Sequence, residues 1–196
     1  MATTEIRITG FGGQGVILCG YIIGKAASLF NDQHATLTQS FGPEARGSAC
    51  SAQVMISDSR VMYPYVNTPN VLVAMSNDGY LTHKAALADD CILVCEEELV
   101  KPELEGTHVT AYGIPATRIA EELGRKIVLN IVMLGFFTAV TDLIPMDAVR
   151  KAVETSVPDG TEVLNLKAFD RGYEYGVELR SGAQAPVEDQ PAVAGS

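Results

Sequence analysis

Two uninterrupted apolar runs, Val71-Leu72-Val73-Ala74-Met75 and Cys91-Ile92-Leu93-Val94-Cys95, constrain the fold of this chain most. A strand wetted on one face alternates polar and apolar residues. A strand without that alternation must be covered on both faces, which is the situation of a central strand in a sheet sandwiched by helices. Helix-compatible segments lie between and around the two runs. Residues 77–88 form one. Pro115 is placed to open a second, carrying Ala116, Ile119, Ala120 and Leu123 and ended by Gly124. Near the N-terminus, Val16, Cys19, Ile23, Ala27 and Phe30 recur at the spacing of an amphipathic helix, directly after a short strand at Ile6–Thr9. Further strands are predicted over 35–40, 52–57 and 109–112, and two last helices around Met146–Val153 and Leu166–Val177. Strands alternating with helices predict an α/β fold, a three-layer sandwich with a mostly parallel sheet flanked by helices. Residues 1–180 read as one domain. The Ala-, Pro- and Gln-rich stretch 181–196, which has no aromatic residue, reads as a disordered tail.

The apolar, uncharged stretch Ile127 to Thr141 has 15 residues, short of the roughly 20 that a membrane-spanning helix needs. It is expected to be a buried helix. Its apolar residues fall on more than one face, so part of it is expected to lie against another protein chain. Charge excludes a further class. With 14 Lys and Arg against 24 Asp and Glu, the net charge of −10 repels a phosphate backbone, so nucleic acid is not an expected partner. The four cysteines, at 19, 50, 91 and 95, contain no C-x-x-C spacing for zinc or an iron–sulfur cluster. They read as small core residues. Free thiols and an N-terminus lacking an apolar signal core point to the cytoplasm. His34, His83 and His108 fall in unrelated segments and read as surface or capping residues, not as catalytic bases.

Between the first strand and the first helix stands Gly10-Phe11-Gly12-Gly13-Gln14-Gly15. Glycines let the main chain approach a ligand closely, and the start of the helix supplies free N–H groups and partial positive charge, so Gly12, Gly13, Gln14 and Gly15 are candidate anion-binding residues. The same glycines could instead serve only a tight strand-to-helix turn. A dinucleotide site would also need an acidic residue at the end of the second strand. Thr38-Gln39-Ser40 stands there, and Asp32 comes too early, so a stand-alone dinucleotide-dependent oxidoreductase is disfavoured. A second glycine loop, Gly42 to Ser48, places Arg46 beside Gly47 and is a candidate anion clamp, the alternative being a solvated loop. Lys25, well down the first helix, reads as solvated.

Five collinear segments carry a resemblance: Gly10-Phe-Gly-Gly-Gln-Gly-Val-Ile-Leu-Cys-Gly, Gln39-Ser-Phe-Gly-Pro-Glu-Ala-Arg-Gly-Ser-Ala-Cys-Ser-Ala-Gln-Val, Pro69-Asn-Val-Leu-Val-Ala-Met-Ser, Pro115-Ala-Thr-Arg-Ile-Ala-Glu-Glu-Leu-Gly and Asn130-Ile-Val-Met-Leu-Gly. Over residues 5–178 the chain resembles the gamma subunit of 2-oxoacid:ferredoxin oxidoreductases. It departs from the usual pattern at Ser48, where a second Gly commonly follows Arg-Gly. The resemblance implies a complex of anaerobic metabolism that converts a 2-oxoacid and coenzyme A to acyl-CoA and CO2 and reduces ferredoxin. The glycine-loop string looks most like 2-oxoglutarate-type members. Thiamine diphosphate, Mg and a 4Fe-4S cluster are implied for partner alpha and beta subunits, with a possible ferredoxin-like delta subunit. The gamma subunit is similar to a domain that engages coenzyme A, which puts Gly12, Gly13, Gln14, Gly15, Gly42, Arg46 and Gly47 at the coenzyme. No nucleophile–base pair is legible, so the chain alone is expected to be inactive. A purely structural subunit bridging catalytic chains remains the other reading.

Overall fold

The computed structural model describes residues 3–41 and 49–182. Strand β1 (Thr3–Phe11) runs into the glycine turn and helix α1 (Val16–Phe30). β2 (His34–Phe41) and β3 (Ala49–Ser57) follow, then β4 (Val71–Ala74), α2 (Asn77–His83), β5 (Ile92–Glu96) and β6 (Thr110–Ile114). The chain ends in α3 (Ala116–Glu122), α4 (Leu129–Thr141), α5 (Met146–Glu154) and α6 (Glu162–Arg180). Among the described residues no helix is long and apolar enough to cross a membrane.

The six strands form one sheet in the order β2-β3-β1-β4-β5-β6. β1, β4, β5 and β6 are parallel, as the continuous apolar runs predict. β4 is buried at every residue. The sheet is nevertheless mixed, because β3 pairs antiparallel with both β1 and β2. Residues 42–48, between β2 and β3, are too few for the dozen or more that a parallel crossover needs. Burial decides which of the two strands lies inside. β3 offers Ala52, Val54 and Ile56 to the core, whereas β2, with its threonines and serine, takes the edge. β3 therefore stands between the first two strands of the chain.

Side-chain alternation divides the core across the sheet. Val71 and Val73 face a large cluster beneath α1, α4 and α5, while Leu72 and Ala74 face a smaller one holding Tyr80, Cys95 and Val100. α4 lies between the sheet and α6. Every residue from Leu129 to Val140 is buried, with Phe136 and Phe137 at 0 and 1% exposure. This overturns the expectation that the apolar stretch needs another protein chain to cover it. α6 covers it, through a pair of glycines that the apolar pattern does not reveal. A Cβ on Gly172 would stand 2.9 Å from the carbonyl carbon of Val132, and one on Gly176 would stand 2.6 Å from Ala139 Cβ. On the facing helix a Cβ on Gly135 would stand 2.9 Å from the backbone of Phe169 and Tyr173. The two helices touch backbone to backbone.

A cavity where three helices begin

The glycine turn stands at the C-terminal end of β1, the edge where open α/β sheets hold ligands. Gly13 and Gly15 both take positive φ, 100° and 75°, which disfavours any residue with a Cβ. Gly15 has a second reason to be glycine, since a Cβ there would stand 2.7 Å from Cγ of Asn130. Gln14 has a bracing part. Its Oε1 accepts the N–H of Phe11 at 2.7 Å, and its Nε2 donates to the carbonyl of Met75 at 3.0 Å, tying the turn to the end of β4.

A cavity of about 910 Å³ opens beside this turn. Gly12, Gly13 and Gly15 form one wall, and Phe41 and Cys50, from the facing ends of β2 and β3, form another. The third wall comes from far along the chain: Arg125, Val128 and Asn130 at the approach to and start of α4, and Thr161 and Asn165 at the start of α6. Among the described residues the lining is apolar in bulk and includes no Asp or Glu, although the chain has 24 of them. Arg125 is its one cation among the described residues, and it makes no ion pair with them.

Asn130 is 4% exposed and lines the cavity, its side chain packed against Gly15. Its carbonyl accepts the Cys19 thiol at 3.2 Å. Burial pushes the Cys19 thiol up to about 12 and also raises that of Cys50, so neither supplies a thiolate at neutral pH. Among the described residues no three His, Cys, Asp or Glu side chains cluster as metal ligands. The arrangement can bind and orient a ligand, and among the described residues it holds no activated nucleophile.

The predicted site residues fare unequally. Gly12, Gly13 and Gly15 line the cavity, whereas Gln14 shapes the turn. Gly42, Arg46 and Gly47 lie outside the described residues, but the flanking Phe41 and Cys50 are at the cavity wall. Lys25, read as solvated, is half-buried and tied down at its tip. Its ammonium donates to the carbonyl of Thr155 and to Ser156 Oγ at the end of α5. Asp32 sits in the turn before β2, at the sheet edge opposite the cavity, since His34 and Thr3 both pair with Ser57. Sequence reasoning missed Asn130, Thr161 and Asn165. The available signal was an amide inside an otherwise apolar stretch, 115 positions after Gly15.

A family model described as pyruvate ferredoxin/flavodoxin oxidoreductase matches residues 5–175. The chain is 46% identical to the 2-oxoglutarate synthase subunit KorC of Methanocaldococcus jannaschii, over 89% of this chain and 95% of that one. A crystal structure of the gamma subunit of a keto/oxoacid ferredoxin oxidoreductase from Geobacter sulfurreducens superposes with a TM-score of 0.81 at 34% identity, covering 90% of this chain and 98% of that one. The same fold recurs in the 2-oxoglutarate:ferredoxin oxidoreductase of Magnetococcus marinus, solved with 2-oxoglutarate, coenzyme A and succinyl-CoA bound. That match has a TM-score of 0.82 at 22% identity over 96% of this chain and 32% of that one. The glycine turn, the mixed six-stranded sheet and the match across residues 5–175 together place this chain in the pyruvate ferredoxin/flavodoxin oxidoreductase family, as a gamma-type subunit.

Proposed function

We propose that this chain is the coenzyme A-engaging, non-catalytic gamma subunit of a 2-oxoglutarate:ferredoxin oxidoreductase. The complex would convert 2-oxoglutarate and coenzyme A to succinyl-CoA and CO2 and pass two electrons to ferredoxin. Identity of 46% with a 2-oxoglutarate synthase subunit supports the substrate. Thiamine diphosphate, Mg and the 4Fe-4S cluster belong on alpha and beta chains, with a delta chain possible. They would supply decarboxylation and electron transfer.

The observation that carries the reading is the large cavity at the end of β1, walled by the glycine turn and with no Asp or Glu among its described lining residues. The main chain at Gly13 can approach a ligand closely, because nothing lies within 4 Å of where its Cβ would be. Arg46, in the segment joining β2 to β3, would add a charge-assisted contact. The overall charge of −10 does not forbid an anionic coenzyme. Diffuse charge is screened over about 8 Å at physiological salt, whereas N–H groups and a guanidinium act at contact. The purely bridging reading drew its support from the apolar stretch 127–141. Most of that support is gone, because Leu129 to Val140 are buried within this chain, leaving only Ile127 well exposed.

The test is the coenzyme A dependence of 2-oxoglutarate oxidation in the assembled complex, followed with an artificial electron acceptor. Arg46→Ala should remove about 1.5–3 kcal/mol, raising the coenzyme A requirement roughly 10- to 150-fold. Gly13→Val should raise it too, and neither should change the apparent affinity for 2-oxoglutarate. If both variants weaken 2-oxoglutarate use and spare coenzyme A, this edge does not serve the coenzyme.

A further inference from the structure

β2 leaves one edge of the sheet open, and nothing in its sequence guards that edge. Among the described residues β2 pairs with β3 alone, in unbroken register from His34 to Phe41. An exposed edge strand invites pairing with another chain, and natural proteins blunt such edges with lysine, proline, a bulge or a very short length. His34-Ala-Thr-Leu-Thr-Gln-Ser-Phe41 has eight residues, no lysine, no proline and no bulge against β3. It also has no Asp, Glu or Arg, so the net charge of −10 puts no like charges on this line of contact. A second observation concerns its side chains. Ala35 and Leu37 pack on the core beneath α1, so Thr36 and Thr38 share the opposite face. The hydroxyl oxygens of both are buried and make no hydrogen bond, a state that costs stability until a partner is supplied. Two of the four such side-chain atoms among the described residues therefore sit two positions apart on the open strand. The helix layer continues this surface. Gly20 and Gly24 of α1 lie over Leu37 and Ala35, where a Cβ would stand 3.1 and 4.0 Å from them. The side of α1 that overhangs the edge then carries Ile17, Tyr21 and Ser28, of which Tyr21 is 49% exposed.

We propose that β2 pairs with β2 of a second copy of this chain, antiparallel about a two-fold axis at Leu37, to give one continuous sheet across the two copies. Pairing about a two-fold axis is self-complementary, so every residue must suit its mirror position. With the axis at Leu37, Thr36 of each copy stands opposite Thr38 of the other. Cross-strand threonine pairs hydrogen-bond to one another, and a turn about χ1 brings each unpartnered hydroxyl to its mate. His34 meets Ser40 and Ala35 meets Gln39, with no clash of charge. The axis stands perpendicular to the sheet, so both α1 helices stay on one face and meet through Ile17 and Tyr21. Their contribution is needed. Seven paired residues make a line only about 23 Å long, and a stable interface buries about 800 Å² per partner. The pairing stands apart from the coenzyme A reading and uses a different edge of the molecule.

The test is analytical ultracentrifugation of the full-length chain at concentrations up to about 1 mM, beside two double variants. The parent should sediment at twice the chain mass. Thr36→Lys with Thr38→Lys sets lysine opposite lysine at both mirror pairs and should raise the dimer dissociation constant about tenfold or more. Thr36→Lys with Thr38→Glu sets lysine opposite glutamate at both pairs and should keep the dissociation constant within about threefold of the parent's. Circular dichroism checks that both variants fold. A monomeric parent overturns the proposal and leaves the edge to a strand from a different chain. A parent dimer that the two variants weaken equally, or that neither weakens, is held together elsewhere, which overturns it too. Hydrogen exchange on the parent decides the matter even if the variants fail to fold. The β2 amides that do not bond to β3 should exchange about tenfold or more slowly in the dimer than after dilution to monomer. Exchange there that is the same in both states refutes the pairing.

Discussion

Replacing Gly172 by alanine adds one methyl group at the closest point between α6 and α4. That methyl would lie 2.9 Å from the carbonyl carbon of Val132, 3.1 Å from the amide nitrogen of Phe136 and closer still to the Val132 carbonyl oxygen. Carbon contacts are comfortable at about 3.5–4.0 Å, so the helices must part by about 1 Å. The obstacle is backbone on a buried helix, which cannot swing aside. Parting the helices loosens Phe136 and Phe169, both fully buried beside the crossing. Overpacking of this kind costs about 1–3 kcal/mol and occasionally more, offset by up to about 1 kcal/mol of improved helix propensity. Because the methyl meets backbone, the cost falls at the upper end of that range, and a net loss of about 2 kcal/mol is expected, a fall in melting temperature of roughly 4–8 °C for a domain of this size. Gly24→Ala in α1 is the control. Its Cβ would meet Ala35 and Val54 at 4.0 Å, ordinary contact, so propensity alone acts and the chain should gain about 0.5–1 kcal/mol. The assay is thermal and urea unfolding of the three proteins side by side. If Gly172→Ala is as stable as the parent, α4 and α6 do not cross at these glycines, and the account of how the apolar stretch is covered is wrong.

Further outcomes follow from the same packing. Burial holds the thiols of Cys19 and Cys95 up to about 12 and that of Cys91 up to about 11, so iodoacetamide at pH 8 should label none of them before unfolding. The folded chain retains these protons where an unfolded thiol, near about 8.5, loses them; stability should be intact below that pH and decline as pH rises from there toward 12. Phe136→Asp buries a carboxylate at a fully buried position and should leave no cooperative unfolding transition by circular dichroism. The purified chain alone should be colourless and should not turn over a 2-oxoacid; a brown preparation with stoichiometric iron would refute this.

What the sequence conveyed was local. Continuous apolar runs identified β4 and β5 because burial on both faces leaves no polar alternate, and the glycine turn announced a ligand edge because its spacing is a backbone requirement. What it withheld was long-range. β3 entering between β1 and β2 depends on the relative burial of two segments with similar strand character. The covering of α4 by α6 depends on Gly135 meeting Gly172, and glycine is silent in an apolar pattern. Asn130 reaches the glycine turn only through tertiary packing, so half of the cavity wall was invisible to spacing arguments. Gln14 was legible as part of the motif, but its work in tying β1 to β4 emerges only from its two hydrogen bonds.

The most direct test of the central claim is to purify this chain, tagged, from the cells that make it and assay the native complex. The account predicts that thiamine diphosphate-binding and iron–sulfur chains copurify, and that the complex oxidises 2-oxoglutarate to succinyl-CoA only when coenzyme A is present. Recovery of the chain alone, or of an assembly that oxidises 2-oxoglutarate without coenzyme A, would contradict it.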